Sequence, residues 1–263
     1  PLVALVAVIG GFYAVLLLFL YFYQSNLVFF PSPRLYTTPE RVGLAFDEVH
    51  LESGSARIHG WFVPGDSGAP VVLFAHGNAG NIADRVGMLK EIREAGLAVL
   101  VFDYAGYGQS TGSPSEEQTY LDARAAFDWL VSQGYAPGQI ILFGRSLGAA
   151  IVTWLARDNP VRGLVLAEPF TSLAAVGKVH YPWVPVRMLL KSRYPTDEFL
   201  RDVAAPVAII VSPQDEIVPY RHGEQLHAAA SEPKRLISTT GSHNMIAPLD
   251  WVDLRQWLDE QPE

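Results

Sequence analysis

The fold turns on one stretch, Ile140-Ile141-Leu142-Phe143-Gly144-Arg145-Ser146-Leu147-Gly148-Ala149-Ala150-Ile151-Val152. Its first four residues form a continuous apolar run, suited to a strand buried on both faces. From Leu147 onward the pattern is that of an apolar helix. No loop lies between the two, so the strand must pass into the helix through a tight turn, and the small residues around Ser146 let strand and helix approach closely. A serine at that point stands at a helix N-terminus, where free backbone N–H groups and the helix dipole favour negative charge. With 22 glycines in 263 residues a G-x-S-x-G pentapeptide arises easily by chance, and a glycine-rich helix start with a capping serine would read the same way. Its strand-turn-helix setting is what gives the motif weight.

Outward from this stretch, short apolar runs alternate with amphipathic ones. Val71–Ala75, Ala98–Phe102, Leu164–Leu166 and Val207–Val211 are nearly continuous apolar segments, and Arg235–Ser238 reads as a further strand. Between them, helical periodicity covers Ile82–Ala95, Glu116–Ser132, Leu147–Arg157, Arg221–Ala230 and Trp251–Leu258. Asp47–Glu52 and Arg57–Val63 alternate polar and apolar residues around Ser53-Gly54-Ser55, as an edge hairpin does. The pattern predicts an α/β fold: a mostly parallel central sheet with helices on both faces and its chemistry on loops at the carboxyl ends of the strands.

A serine hydroxyl is a feeble nucleophile without a base and an orienting acid. Among the seven histidines, His243 is the strongest candidate, on the glycine-containing loop Thr239–Asn244 after the last strand. His222 and His227 fall on a predicted surface helix, His50 and His59 on the leading strands, and His180 in an aromatic segment, where structural or solvated roles suit them better. Asp215 follows the strand Val207–Val211 and is the leading acid, with Glu216 beside it and Glu168 at the end of the preceding strand as rivals. After Val71–Ala75 comes His76-Gly77-Asn78-Ala79-Gly80-Asn81, placed to donate a backbone N–H to an oxyanion alongside the N–H of Leu147. Asn78 is the first choice for that donor and Ala79 the second, while His76 holds the loop by side-chain hydrogen bonds.

The first 33 residues contain no Lys, Arg, Asp or Glu, and within Pro1–Tyr23 only Pro1, Gly10 and Gly11 fall outside the hydrophobic set. A 22-residue helix spans roughly 33 Å, against about 30 Å of bilayer hydrocarbon. Tyr21-Phe22-Tyr23 and Leu27-Val28-Phe29-Phe30 form an aromatic belt at its exit, with no A-x-A cleavage site in the run. Residues 1–30 therefore read as a retained N-terminal membrane anchor, single-pass or monotopic, and 31–263 as the catalytic domain. Arg34 and Arg41 follow the span with no basic residue before it, which points that domain toward the cytoplasm.

The net charge of -8 gives no bulk attraction to nucleic acid, and the absence of cysteine excludes disulfides, thiolate nucleophiles and cysteine metal sites. There is no H-E-x-x-H, Walker A or suitably placed G-x-G-x-x-G, so neither a metal nor an organic cofactor is expected.

Taken together, HGNAGN (His76–Asn81), FDYAGYGQSTGSPSE (Phe102–Glu116), GRSLGAA (Gly144–Ala150), PQDEIVP (Pro213–Pro219) and GSHN (Gly241–Asn244) resemble the α/β-hydrolase-fold serine hydrolases. Within that group the chain is similar to the membrane-anchored α/β-hydrolase-domain, serine aminopeptidase-like branch, over about residues 42–260. The resemblance implies Ser146 as nucleophile, His243 as base, Asp215 as acid, and the Asn78 and Leu147 amides as oxyanion hole; Asp103 and Tyr104 match a loop that is mainly structural. It implies hydrolysis of acyl esters or thioesters of a small-molecule or lipid substrate, through an acyl-enzyme, beside a lipid bilayer. A serine peptidase acting on amides, or a catalytically silent membrane-tethered binding protein, are the alternatives.

The insertion at about residues 171–205 holds the cap position of such a fold. Its segment Gly177–Tyr194 carries four basic residues and no acidic ones, with Tyr181, Trp183, Met188, Leu189 and Leu190 among them. It reads as a short cap helix over the site, and its cationic, aromatic make-up suits a membrane interface.

Overall fold

A computed structural model describes residues 1–261. Eight strands form the main sheet: β1 (Asp47–Ser53), β2 (Ala56–Val63), β3 (Val71–Ala75), β4 (Ala98–Phe102), β5 (Ile140–Arg145), β6 (Gly163–Ala167), β7 (Val207–Val211) and β8 (Lys234–Ser238). Their order is β8-β7-β6-β5-β3-β4-β2-β1, with β1–β2 and β2–β4 antiparallel and the rest parallel. From β3 the chain moves one way to β4, and from β5 the other way to β6. The crevice above β3 and β5 is therefore the topological switch point, the place where open α/β sheets hold ligands.

The helices are α1 (Leu2–Tyr23), α2 (Ser25–Val28), α3 (Val86–Glu94), α4 (Glu116–Ser132), α5 (Leu147–Ala156), α6 (Leu173–His180), α7 (Val186–Leu189), α8 (Thr196–Leu200), α9 (Arg221–Ala229) and α10 (Trp251–Asp259). Alternate strand residues face opposite ways, which sorts the core into two layers. Leu73, Leu100, Leu142, Leu166 and Ile209 pack with α4, α5 and α9 on one face. Phe74, Val101, Phe143, Val165 and Ile210 pack with α3 and α10 on the other. The helix expected over Ile82–Ala95 begins as a 3-10 turn at Ile82–Arg85 before α3. Asn81 and Asp84 close a reciprocal capping box there, tightening the first turn.

Helix α1 is long and apolar enough to cross a membrane, and none of its residues is buried. It has no side-chain cap and no charge to assist it; its Leu and Ala residues favour the helix, which satisfies its interior backbone groups internally. The chain leaves it with no tether: Gln24 alone separates α1 from α2, and Val28 and Phe29 are already buried in the core of the α/β domain. The insertion after β6 holds three short helices, α6, α7 and α8, rather than one, because Pro182, Pro185 and Pro195 interrupt it.

Candidate active site

Ser146 sits between β5 and α5 with φ 51° and ψ -113°, in a region that L residues rarely occupy. The glycines of the pentapeptide permit this. A Cβ on Gly148 would collide with the Ala75 and His76 carbonyls, and one on Gly144 with the backbone of Gly148 and Ala149. The strained turn lifts the hydroxyl above the sheet, where Oγ lies 3.0 Å from His243 Nε2. His243 Nδ1 in turn donates to Asp215 Oδ2 at 2.7 Å. Both side chains are buried, which strengthens the pair by excluding water. The structure thus brings together Ser146, His243 and Asp215, the three side chains singled out in the sequence.

Asp215 combines two roles. Its Oδ1 accepts the N–H groups of Ile217 at 2.8 Å and Val218 at 2.7 Å, so it makes the turn before Pro219 while Oδ2 faces the imidazole. Of the rival acids, Glu216 takes the His243 backbone N–H at 3.1 Å, away from the ring. Glu168 is buried, has a positive φ of 53°, and places Oε1 4.0 Å from His243 Nδ1. Its Oε2 accepts from Arg145 Nε at 2.9 Å, and the same guanidinium donates to the His243 carbonyl. Burial pushes the Glu168 carboxyl up, against the opposing pull of Arg145 and His243. Ligand atoms of Glu168, Asp215 and His243 lie within 4.8 Å of one another. His243 Nδ1 and Asp215 Oδ2 already engage each other, Glu168 Oε1 has no hydrogen-bond partner among the described residues, and the Arg145 charge on Glu168 Oε2 would repel a cation, so this donor set suits a hydrogen-bonded imidazole better than a metal.

The loop after β3 lies beside the serine, because parallel pairing sets Ala75 opposite Gly144. Among the described residues, the Asn78 and Leu147 amides donate to no protein acceptor, and both residues line the cavity that contains Ser146 and His243. His76 is fully buried; its Nδ1 donates to the Gly77 carbonyl at 2.7 Å and its Nε2 stands 3.4 Å from Asp103. Tyr104 and Tyr107 donate to the carbonyls of His76 at 2.6 Å and Asn78 at 2.7 Å. Burial raises both phenols, keeping them protonated as donors. Of the other histidines, His222 Nδ1 pairs with Thr171 Oγ1 at 3.0 Å, His180 reaches the Ile217 carbonyl at 2.8 Å, and the rings of His50 and His59 face each other. His227 is half-buried on α9.

One function of the HGNAGN run lay outside the sequence reading. Its two asparagines hold the segment leaving the apolar helix: Asn78 Nδ2 donates to the Val28 carbonyl at 3.0 Å, and Asn81 Nδ2 to those of Ser32 and Arg34. Phe30 N–H returns a bond to the Asn78 carbonyl at 2.9 Å, and Phe30–Pro31 pairs in parallel with Ala79–Gly80. Arg145, Tyr107 and Gln24 were also missed. Each acts through contacts between distant loops, which local pattern does not carry.

Sheet order, switch-point site and strained serine turn define the class of protein, an α/β hydrolase. The family described as alpha/beta hydrolase fold matches residues 70–190. Uncharacterized protein Rv2307c of Mycobacterium tuberculosis is 43% identical over 249 residues, covering 93% of this chain and 88% of that one. Alpha/beta hydrolase domain-containing protein WAV2 of Arabidopsis thaliana is 32% identical over 234 residues, covering 80% and 76%. Lysophosphatidylserine lipase ABHD12 of Danio rerio is 32% identical over 190 residues, covering 65% and 50%. Among solved structures, the Pyrococcus furiosus esterase Pf2001 superposes with a TM-score of 0.66 at 18% identity, over 88% of this chain and 95% of that one. The chain belongs to the α/β-hydrolase family.

Proposed function

We propose that the protein is a membrane-anchored serine hydrolase of acyl esters or thioesters, with residues 1–30 as anchor, 31–263 as catalytic domain and about 171–205 as cap. The observation that carries this reading is the hydrogen-bonded chain from Ser146 Oγ to His243 to Asp215, at 3.0 and 2.7 Å, on a serine held at positive φ. His243 Nε2 takes the Ser146 proton as Oγ attacks the acyl carbonyl, and Asp215 holds the Nδ1–H and stabilises the imidazolium. The carbonyl oxygen, now an anion, is received by the Asn78 and Leu147 amides. His243 then gives its proton to the leaving oxygen or sulfur, and the acyl group stays on Ser146 as an ester. Water, deprotonated by His243, repeats the attack and releases the acid. A lipid acyl substrate is supported by the apolar lining of the cavity, by helix α1, and by the similarity to a lysophosphatidylserine lipase. Arg34 and Arg41 after the helix favour a cytoplasmic catalytic domain.

Labelling of the full chain in detergent micelles by a fluorophosphonate tests the nucleophile: wild type should label and Ser146→Ala should not. A panel of p-nitrophenyl esters of rising chain length beside aminoacyl p-nitroanilides tests the substrate class. Turnover confined to the anilides would replace the ester reading by an amidase, and absence of both labelling and turnover would leave a binding protein.

A further inference from the structure

The cavity at Ser146 has a volume of about 630 Å³, within the roughly 300–1,000 Å³ of sites that hold a drug-sized ligand. Leu20, Gln24, Leu27, Val28 and Phe30 line it, so the end of the apolar helix is one of its walls. The cap forms the facing wall and is joined to that helix directly. The buried Gln24 amide donates to the Leu189 carbonyl at 3.1 Å and accepts from Lys191 N–H at 2.7 Å. Lys191 Nζ stands 4.4 Å over the Tyr21 ring. Further up, Tyr13 OH donates to the Trp183 carbonyl at 2.6 Å. From Tyr13 to the end of α1 at Tyr23, ten residues measure about 15 Å along the axis, half of a hydrocarbon core of about 30 Å.

We propose that the cap loop Tyr181–Pro185 is inserted into one leaflet alongside α1, and that the substrate's acyl chain passes from that leaflet into the cavity between α1 and the cap. This rests on the acyl-hydrolase reading and adds to it a source and a route for the substrate. The loop is suited to hydrocarbon. Pro182 and Pro185 have no N–H, Tyr181 N–H donates to Gly177 and Val184 N–H to Tyr181. Only the Trp183 N–H lacks a protein acceptor among the described residues, where open loops in lipid would leave many groups unpaired. Tyr181 and Trp183 are more than half exposed and Met188 is 86% exposed, an apolar surface that water would not favour and lipid would. Among the cap cations, Lys191 lies at the aromatic girdle at the end of α1, where ammonium groups meet the interface.

Two measurements on the full chain in phosphatidylcholine vesicles test the proposal. The first compares wild type with Trp183→Phe and takes the difference in fluorescence as the Trp183 signal, using lipids brominated along the acyl chain and, separately, aqueous iodide. Bromolipid should quench the Trp183 signal and iodide should not; the reverse result overturns insertion of the cap. The second compares p-nitrophenyl dodecanoate with p-nitrophenyl butanoate. Leu20→Trp, which fills the α1 wall, should lower the dodecanoate-to-butanoate ratio of kcat/KM about tenfold or more, as expected from expelling two methylenes at about 0.8 kcal/mol each. Val131→Trp, on the exposed face of α4, should leave the ratio unchanged. An unchanged ratio in Leu20→Trp that still labels with fluorophosphonate overturns the α1 wall. If wild type neither labels nor hydrolyses either ester, the acyl-hydrolase reading has failed instead, and the quenching result still decides where the cap lies.

Discussion

Glu168 holds Oε1 4.0 Å from the same His243 nitrogen that Asp215 reaches at 2.7 Å. The shorter distance is a charge-assisted hydrogen bond and the longer is not a hydrogen bond. Asp215→Asn should therefore lower kcat by about 10⁴, by fixing the wrong tautomer of His243. Glu168→Gln, whose hydrogen-bonded link to His243 runs through Arg145 to the backbone carbonyl, should lower it by about tenfold at most, about 1.4 kcal/mol of misplacement. Steady-state rates on p-nitrophenyl butanoate separate the two, and equal losses would reverse the assignment of the acid.

The same glutamate sets a limb of the stability profile. Burial raises its carboxyl in the folded state, so its contribution is fully present below the ordinary value of about 4.3 and is lost as pH rises through the raised one. Denaturant titrations at a series of pH values should show the stability of Glu168→Gln, relative to wild type, increasing over that window. A constant difference would mean that Arg145 fully compensates the buried charge.

His59 acts on the other limb. It is fully buried, neither ring nitrogen has a partner among the described residues, and desolvation lowers its pKa. Its neutral form is favoured in the folded protein, so stability is present above about pH 6.5 and lost as pH falls toward the lowered value. His59→Phe should stay within about 1 kcal/mol of wild type at neutral pH and become the more stable protein as the pH is lowered. Melting curves that remain parallel at every pH would rule out this origin of acid sensitivity.

Gly148→Ala tests the close approach under the serine. The added methyl meets the Ala75 and His76 carbonyls, which belong to a buried strand end and cannot move aside. A destabilisation of about 1–3 kcal/mol is expected. Activity should fall in the protein that remains folded, because the shift separates Ser146 from the loop carrying Asn78. Calorimetry and kcat on the same preparation check both.

Gln24→Ala removes the acceptor of the Lys191 N–H and the donor to the Leu189 carbonyl, both supplied by a buried amide. The cost of unpaired groups, about 1–3 kcal/mol, falls on the cap rather than on the sheet. Trypsin should then cut at Arg187, Lys191 or Arg193 faster than in wild type, with the melting of the main domain unchanged.

The sheet and the serine turn were legible because both are local: continuous apolar runs name strands buried on two faces, and G-x-S-x-G has meaning only at a strand-helix junction. His243 and Asp215 could be picked out because each follows a strand end, and parallel strands bring their ends to one edge. Gln24 was read as part of a membrane anchor. Nothing in its neighbourhood shows that its amide closes a gap to residues 189 and 191. The asparagines of HGNAGN were read for their backbone alone, and their side chains proved to hold residues 28–34. Such long-range amide contacts depend on how loops from opposite ends of the chain meet, and hydropathy carries no record of that.

The single residue between α1 and α2, with Phe29 already in the core, makes the apolar helix and the hydrolase domain one lever. A helix longer than the local hydrocarbon layer tilts, so with α1 anchored as proposed the domain would tilt with it, and bilayer thickness would set the angle at which the mouth of the cavity meets the lipid.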